Sequence, residues 1–366
     1  MKIMRIMIAA LIVFSIYSCA KNESTYTVRE VNGIRITENT GVPADSTFNV
    51  VLREIAIIEN DPENDPERSF RQASSVDISD NGYIFVLDRS IFKVLIYDKE
   101  GKFVNSFGGQ GQGPGEFINP GTVNVRQDTV FVTDFQGFKI HTFDTGGNFI
   151  RSRQVGDMHN FPFTPSKFGE KYITSGGVKS TVSEDGRQMT VIEVSLFDSV
   201  FDFIKNLHLI EYERPGPETE FDPTEKGVKA AASDINAYVY EHSKTQYKID
   251  VYDINGDKIR EIRKPHVRIS TPQEVKDRVR ESGERFGRRQ RQDYYNSIFN
   301  LYADKYNRLW VTRPTRHAEE GHYFDVFEND IFINRVKLDI DGMPIFAGDK
   351  IVVWSWKENQ LRVYDY

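Results

Sequence analysis

Arg89, His242, Arg313, His317 and Trp356 stand in comparable loops along this chain, each at the end of a short apolar run. This mixture of cations, histidines and tryptophan suits an anionic or sugar-like ligand. The same loops hold Asp88, Asp134-Phe135-Gln136, Glu241, the stretch 313–317 (RPTRH) and the stretch 354–356 (WSW). A competing reading gives the aspartates to turns and the tryptophans to packing between sheets.

Other chemistries fail on spacing. Residues 107–120 read FGGQGQGPGEFINP, with five glycines in the first nine positions. A dinucleotide fingerprint needs a third glycine where Pro114, Glu116 and Ile118 stand, and no Gly-Lys-Ser/Thr follows for a phosphate loop. The stretch reads instead as a linker, with Pro114 setting a turn and Phe117 plugging between adjacent sheets. The seven histidines are scattered without H-E-x-x-H spacing, and there is no G-x-S-x-G. The acidic run 60–67 (NDPENDPE) lacks the glycine of a calcium loop and reads as an exposed linker. No cofactor is expected from these residues.

The elements that position the five residues follow from a repeat. Residues 86–103 (VLDRSIFKVLIYDKEGKF) lie over 132–149 (VTDFQGFKIHTFDTGGNF) without a gap, matching Asp88 to Asp134, Phe92-Lys93 to Phe138-Lys139, Asp98 to Asp144 and Gly101 to Gly147. Weaker copies place their markers at Asp198, Asp253, Glu328 and Asp365. Each copy alternates apolar and polar residues around short turns, as antiparallel strands do. Six copies at roughly 40 to 55 residues predict an all-β, six-bladed β-propeller with four-stranded antiparallel blades. The last copy lacks an outer strand, and an apolar run at 49–58 precedes the first, so this N-terminal strand is expected to close the last blade. The propeller would span 48–366.

Between Asp253 and Glu328 the spacing is longer, which predicts a helical insertion within 270–295, near 272–290. Thr271-Pro272-Gln273-Glu274 reads as a capping box, and Val275, Val279 and Phe286 as an apolar stripe. Glu274–Arg278, Glu281–Arg285 and Glu284–Arg288 are ordered as stabilising pairs, while Gly283 and Gly287 should fray the end. Ten Lys/Arg face four Asp/Glu from 263 to 291, fitting a basic lid, a grip on an anionic partner, or a solvated helix. A net charge of −7 and the lack of aromatics among these arginines argue against nucleic acid.

Residues 1–18 read as an export signal: Lys2 and Arg5, then an eleven-residue apolar run at 6–16, too short to span a bilayer. The run ends in Ile16-Tyr17-Ser18-Cys19, and Cys19 is the single cysteine. This resembles the bacterial lipoprotein signal, which implies lipidation of Cys19, with 19–47 as a tether and N-terminal segment. The G-x-G-x-G-P-G-E-F linker and the aromatic-Asp-x-x-Gly-x-Phe phrase resemble NHL repeats. The whole chain resembles the six-bladed, NHL-like or TolB-like propeller lipoproteins of Bacteroidetes. That resemblance implies a monomeric module held at the bacterial envelope, in the outer membrane on its periplasmic or surface face, binding a protein, peptide or glycan. The alternative it allows is a lactonase-like hydrolase or lyase with a metal such as calcium in the central channel.

Overall fold

The computed structural model describes residues 24–61, 63–156, 161–216, 218–314, 322–355 and 357–366. Six antiparallel sheets succeed one another along the chain. Blade one is Ala73–Ile78, Ile84–Asp88, Lys93–Tyr97 and Phe103–Gly108. Blade two is Pro120–Arg126, Thr129–Asp134, Lys139–Asp144 and Phe149–Gln154. Blade three is Pro165–Phe168, Lys171–Val182, Gln188–Phe197 and Phe203–Glu213. Blade four is Val228–Ala232, Ala237–Glu241, Tyr247–Tyr252 and Lys258–Lys264. Blade five is Asn300–Ala303, Leu309–Thr312, His322–Glu328 and Ile331–Leu338. Blade six is Pro344–Ala347, Lys350–Ser355 and Gln360–Asp365, completed by Arg53–Ile58. Leu361 faces Ile58 and Asp365 faces Arg53, so the predicted closure by an early strand is present.

The repeated aspartate is explained by the turn between the third and fourth strands. Asp98 Oδ1 accepts the amides of Glu100 and Lys102, Asp144 those of Gly146 and Asn148, and Asp253 those of Asn255 and Asp257. The glycine three residues on takes a positive φ and lies against the preceding blade. A Cβ on Gly101 would stand 2.5 Å from the Ile57 carbonyl oxygen, and one on Gly256 would stand 2.5 Å from Leu207. Blade three has Phe201 in that place, at φ 66, fully buried and stacked on Tyr172 at 4.2 Å. In blade five the marker Glu328 precedes a tighter turn with Asn329 and Asp330 both at positive φ.

Gly101→Ala therefore combines strain with a clash and should cost about 1–3 kcal/mol, read from urea unfolding. Gly186→Ala has a similar φ of +85 but nothing within 4 Å, so it isolates the strain and should cost clearly less.

The structure departs from the sequence reading at both appended segments. Within 19–47, Tyr26–Val31 and Ile34–Asn39 form a hairpin that widens blade four to six strands, joining Lys258–Lys264 in parallel. Asn39 then fastens blade four to blade five: its amide nitrogen donates to the carbonyls of Arg263 and Asp330, and its oxygen accepts the Phe332 amide. The chain next runs along blade five, where the Ala44 and Asp45 amides donate to the Phe332 and Ile333 carbonyls.

The insertion contains one helix, α1 (Gln273–Arg285), ending before the expected 290. Pro272, extended at ψ 152, is its N-cap; Thr271 lies one residue too early, buried, with its hydroxyl unpartnered, so no capping box forms. The three expected ion pairs do not close; Arg280 meets Asp277 at 2.9 Å instead. Phe286 leaves the apolar stripe and is exposed, whereas Gly283 is buried. Gly287, at φ +63, ends the helix in a Schellman turn, with the Arg288 amide donating to Gly283 and the Gly287 amide to Glu284. The two glycines thus shape a fixed end.

Candidate functional site

The glycine stretch is a linker folded around Phe117, which is fully buried between blades one and two. The Phe117 amide donates to Gly109, and the Gly111 amide returns to Phe117. The Ile118 and Asn119 amides donate to Asp134, at 2.7 and 3.0 Å. Asp88 serves blade one in the same way, accepting the amides of Arg71, Gln72 and Ser90. Both aspartates have spent their oxygens on backbone.

Arg89 is exposed, donating to Asn119 Oδ1 at 2.9 Å and lying over the Phe135 ring. His242 is half-buried, its Nδ1 donating to the Thr224 carbonyl at 3.1 Å. Burial pushes its pKa below 6.5, so the ring is neutral at pH 7. Arg313 is half-buried with Nη2 at 3.4 Å from His266 Nδ1. His317, Trp356 and the proposed lipidation residue Cys19 lie outside the described residues. Among the described residues no hydrogen bond, ion pair or ring contact joins Arg89, His242 and Arg313 to one another.

Arg313 borders a buried charge cluster at the seam of blades four and five. Lys264 Nζ is 2.8 Å from Asp325, which also takes Arg335 at 2.7 Å and the Tyr247 hydroxyl at 3.3 Å. Lys264 lies over the Phe332 ring at 3.6 Å. Burial alone would raise the Asp325 carboxyl, but Lys264 and Arg335 outweigh it and hold the pKa below 3.8. Every member has a partner within the cluster, which fits a fastening between blades.

The concave site is on the axis. The innermost strands of all six blades line a channel of about 480 Å³. Its wall is mostly small and polar: Ser75, Thr122, Asn124, Ser166 and Ala230, with Asp77 and Lys167 facing across it. Asp77 accepts the amides of Ile78 and Val125 and meets Lys167 Nζ at 2.9 Å. Lys167 is a third exposed, and Asp77 is its only ion-pair partner among the described residues. Asp80 and Asp234, both exposed, stand where the channel opens at the first turns of blades one and four. Tyr302 and Phe346 also reach the wall, but their rings stack on each other at 5.0 Å. Among the described residues no group of three or more His, Cys, Asp or Glu is placed to hold a metal.

Sequence reasoning missed Asp77 and Lys167, which fall just outside the repeated phrase. The signal was Asp77 set between Val76 and Ile78 and two places from Ser75 (ASSVDI), a charge uncommon in such a strand unless that face meets water or a partner.

Residues 63–331 match the family described as 6-bladed beta-propeller, DUF5128. No curated protein matches the chain. Among solved structures, a member of the DUF4221 family from Bacteroides vulgatus aligns with a TM-score of 0.51 at 13% identity, over 86% of this chain and 96% of its own. A Bacteroides fragilis protein named as exported aligns at 0.47 and 15% identity, over 89% and 97%. A catalytically inactive virginiamycin B lyase from Staphylococcus aureus, bound to quinupristin, aligns at 0.42 and 12% identity, over 86% and 99%.

Proposed function

Because this chain belongs to the DUF5128 family of six-bladed β-propellers, whose closed ring surrounds one axial channel, we propose that it is a binding module that takes a short charged peptide segment into that channel. The observation that carries the reading is Lys167, an ammonium in the channel wall whose one carboxylate partner among the described residues, Asp77, also accepts a backbone amide on each oxygen. An anionic group of a ligand can join that ammonium without displacing a structural bond, while Asp80 and Asp234 offer a place for a cationic end. A volume of about 480 Å³ suits a few residues of extended chain. Peptide is favoured over glycan because, among the described residues, the aromatic rings at the channel wall, Tyr302 and Phe346, stack on each other rather than standing free.

The module acts as a lipoprotein of the bacterial envelope. The support is Cys19 behind an apolar run of export length.

Titration calorimetry with short peptides and with oligosaccharides tests the site. Lys167→Met should weaken a peptide found to bind by about tenfold or more, with the melting temperature nearly unchanged, while Arg89→Ala stays within about twofold. Binding indifferent to Lys167→Met, or confined to oligosaccharides, overturns the peptide reading.

A further inference from the structure

Two exposed apolar side chains on the insertion stand out. Val267 is 82% and Phe286 77% exposed, matched among the described large hydrophobics only by Val51 at 79%. Phe286 caps the helix and is flanked by Arg285, Arg288 and Arg289. The Schellman turn holds it outward, and backbone pairing of Phe221 with Arg289 and Arg291 anchors the segment that follows. Val267 is followed by Arg268, whose guanidinium covers the Tyr294 ring at 4.4 Å. Arg278, Arg285 and Arg288 make no ion pair among the described residues.

The start of the described chain emerges at this same end of blade four. The parallel register of Arg263 with Glu38 puts Asn39 beside the point where the insertion leaves the sheet. Tyr26 pairs with Asn39, the Thr40 amide donates to the Thr25 carbonyl, and Gly41 lies against Pro265. Thr25 is six residue steps from Cys19, a reach of roughly 20 Å.

We infer that this rim rests on an anionic lipid surface, with Phe286 and Val267 entering the headgroup boundary and the surrounding arginines meeting lipid phosphates. Exposed apolar tips set among cations are the chemistry of interfacial membrane contact. The inference rests on the proposed anchor at Cys19 for its reach, though its surface chemistry stands on the insertion alone. A membrane is favoured over an acidic protein because a tether of this length brings the rim to the bilayer whenever Cys19 carries lipid.

The test uses residues 20–366, which contain every strand of the ring and carry no lipid, sedimented with phosphatidylcholine vesicles or with vesicles holding about one third phosphatidylglycerol. Binding should favour the anionic vesicles by about tenfold or more and reverse at roughly 0.5 M salt. Phe286→Ser with Val267→Ser, and separately Arg285→Glu with Arg288→Glu, should each lose most of that binding at an unchanged melting temperature. Ile150→Ser, at an exposed position on blade two, should leave it intact. No preference for anionic vesicles, or binding untouched by the paired variants, overturns the docking face. Mass spectrometry of the full chain reads lipidation of Cys19 separately. An unlipidated Cys19 overturns the anchor alone, and a lipidated one with insensitive vesicle binding overturns the docking face alone.

Discussion

Ile58→Asp should abolish the folded ring. Ile58 is fully buried, opposite Leu361, within a cluster that includes Ile78, Val86, Leu95 and Val352 from both blade six and blade one. A carboxylate there has no cation within the cluster, so it must either be buried charged or keep the closing strand from docking. Either route costs on the order of 4–5 kcal/mol, a large share of what holds an ordinary domain together. Urea unfolding should show a collapsed midpoint or no native baseline. Ile58→Val keeps the shape and should cost about 1 kcal/mol. Equal midpoints for the two variants would falsify the assignment of this strand to ring closure.

The second large effect concerns the seam of blades four and five. Asp325→Ala should cost about 3–5 kcal/mol, because it strands Lys264, only 4% exposed, beside Arg335 with no counter-charge. Removing the two buried charges in Lys264→Met with Asp325→Leu should recover most of that loss, since their desolvation is then no longer required and Arg335, 43% exposed, can turn to solvent. The single carboxylate also sets a pH signature. Its folded pKa lies below the ordinary 3.8, so its contribution is intact above that value and fades as pH falls through the lower folded value. The stability difference between the native chain and Asp325→Ala, followed by urea midpoint, should therefore be constant above about pH 5 and shrink below pH 4. A difference that stays flat through this range would remove the ion cluster as its cause.

What the sequence made legible were features written in adjacent residues. Asp98, Asp144 and Asp253 each serve amides two and four positions on, so the residue type alone fixes the turn and recurs with it. The closing strand was legible by strand counting, because six sheets of four leave one unfilled place. A central channel was implied by the propeller resemblance, but its lining residues Asp77 and Lys167 were not legible, since which side chains face the axis is settled only by the packing of the other blades. The N-terminal hairpin did leave a local sign. Asn32-Gly33, at φ 52 and 77, sits between two alternating runs, but those runs are polar enough to pass for a tether. The loop residues Arg89, His242 and Arg313 show the reverse limit: equivalent places in a repeat put them on three different blades, each bonded to its own neighbours. Thr271 shows how little separates a true cap from a false one, since a single extended Pro272 moved the helix start past it.

The path of residues 24–58 across blades four, five and six sets an order of events in assembly. The strand Arg53–Ile58, made before the other strands of the ring, finds its partner in Gln360–Asp365, the last of them to be made. Individual sheets can collapse as they arrive, but the circle is sealed only once Gln360–Asp365 has been made. Until then two raw edges wait for each other, and a chaperone holding either one would have that whole interval in which to act.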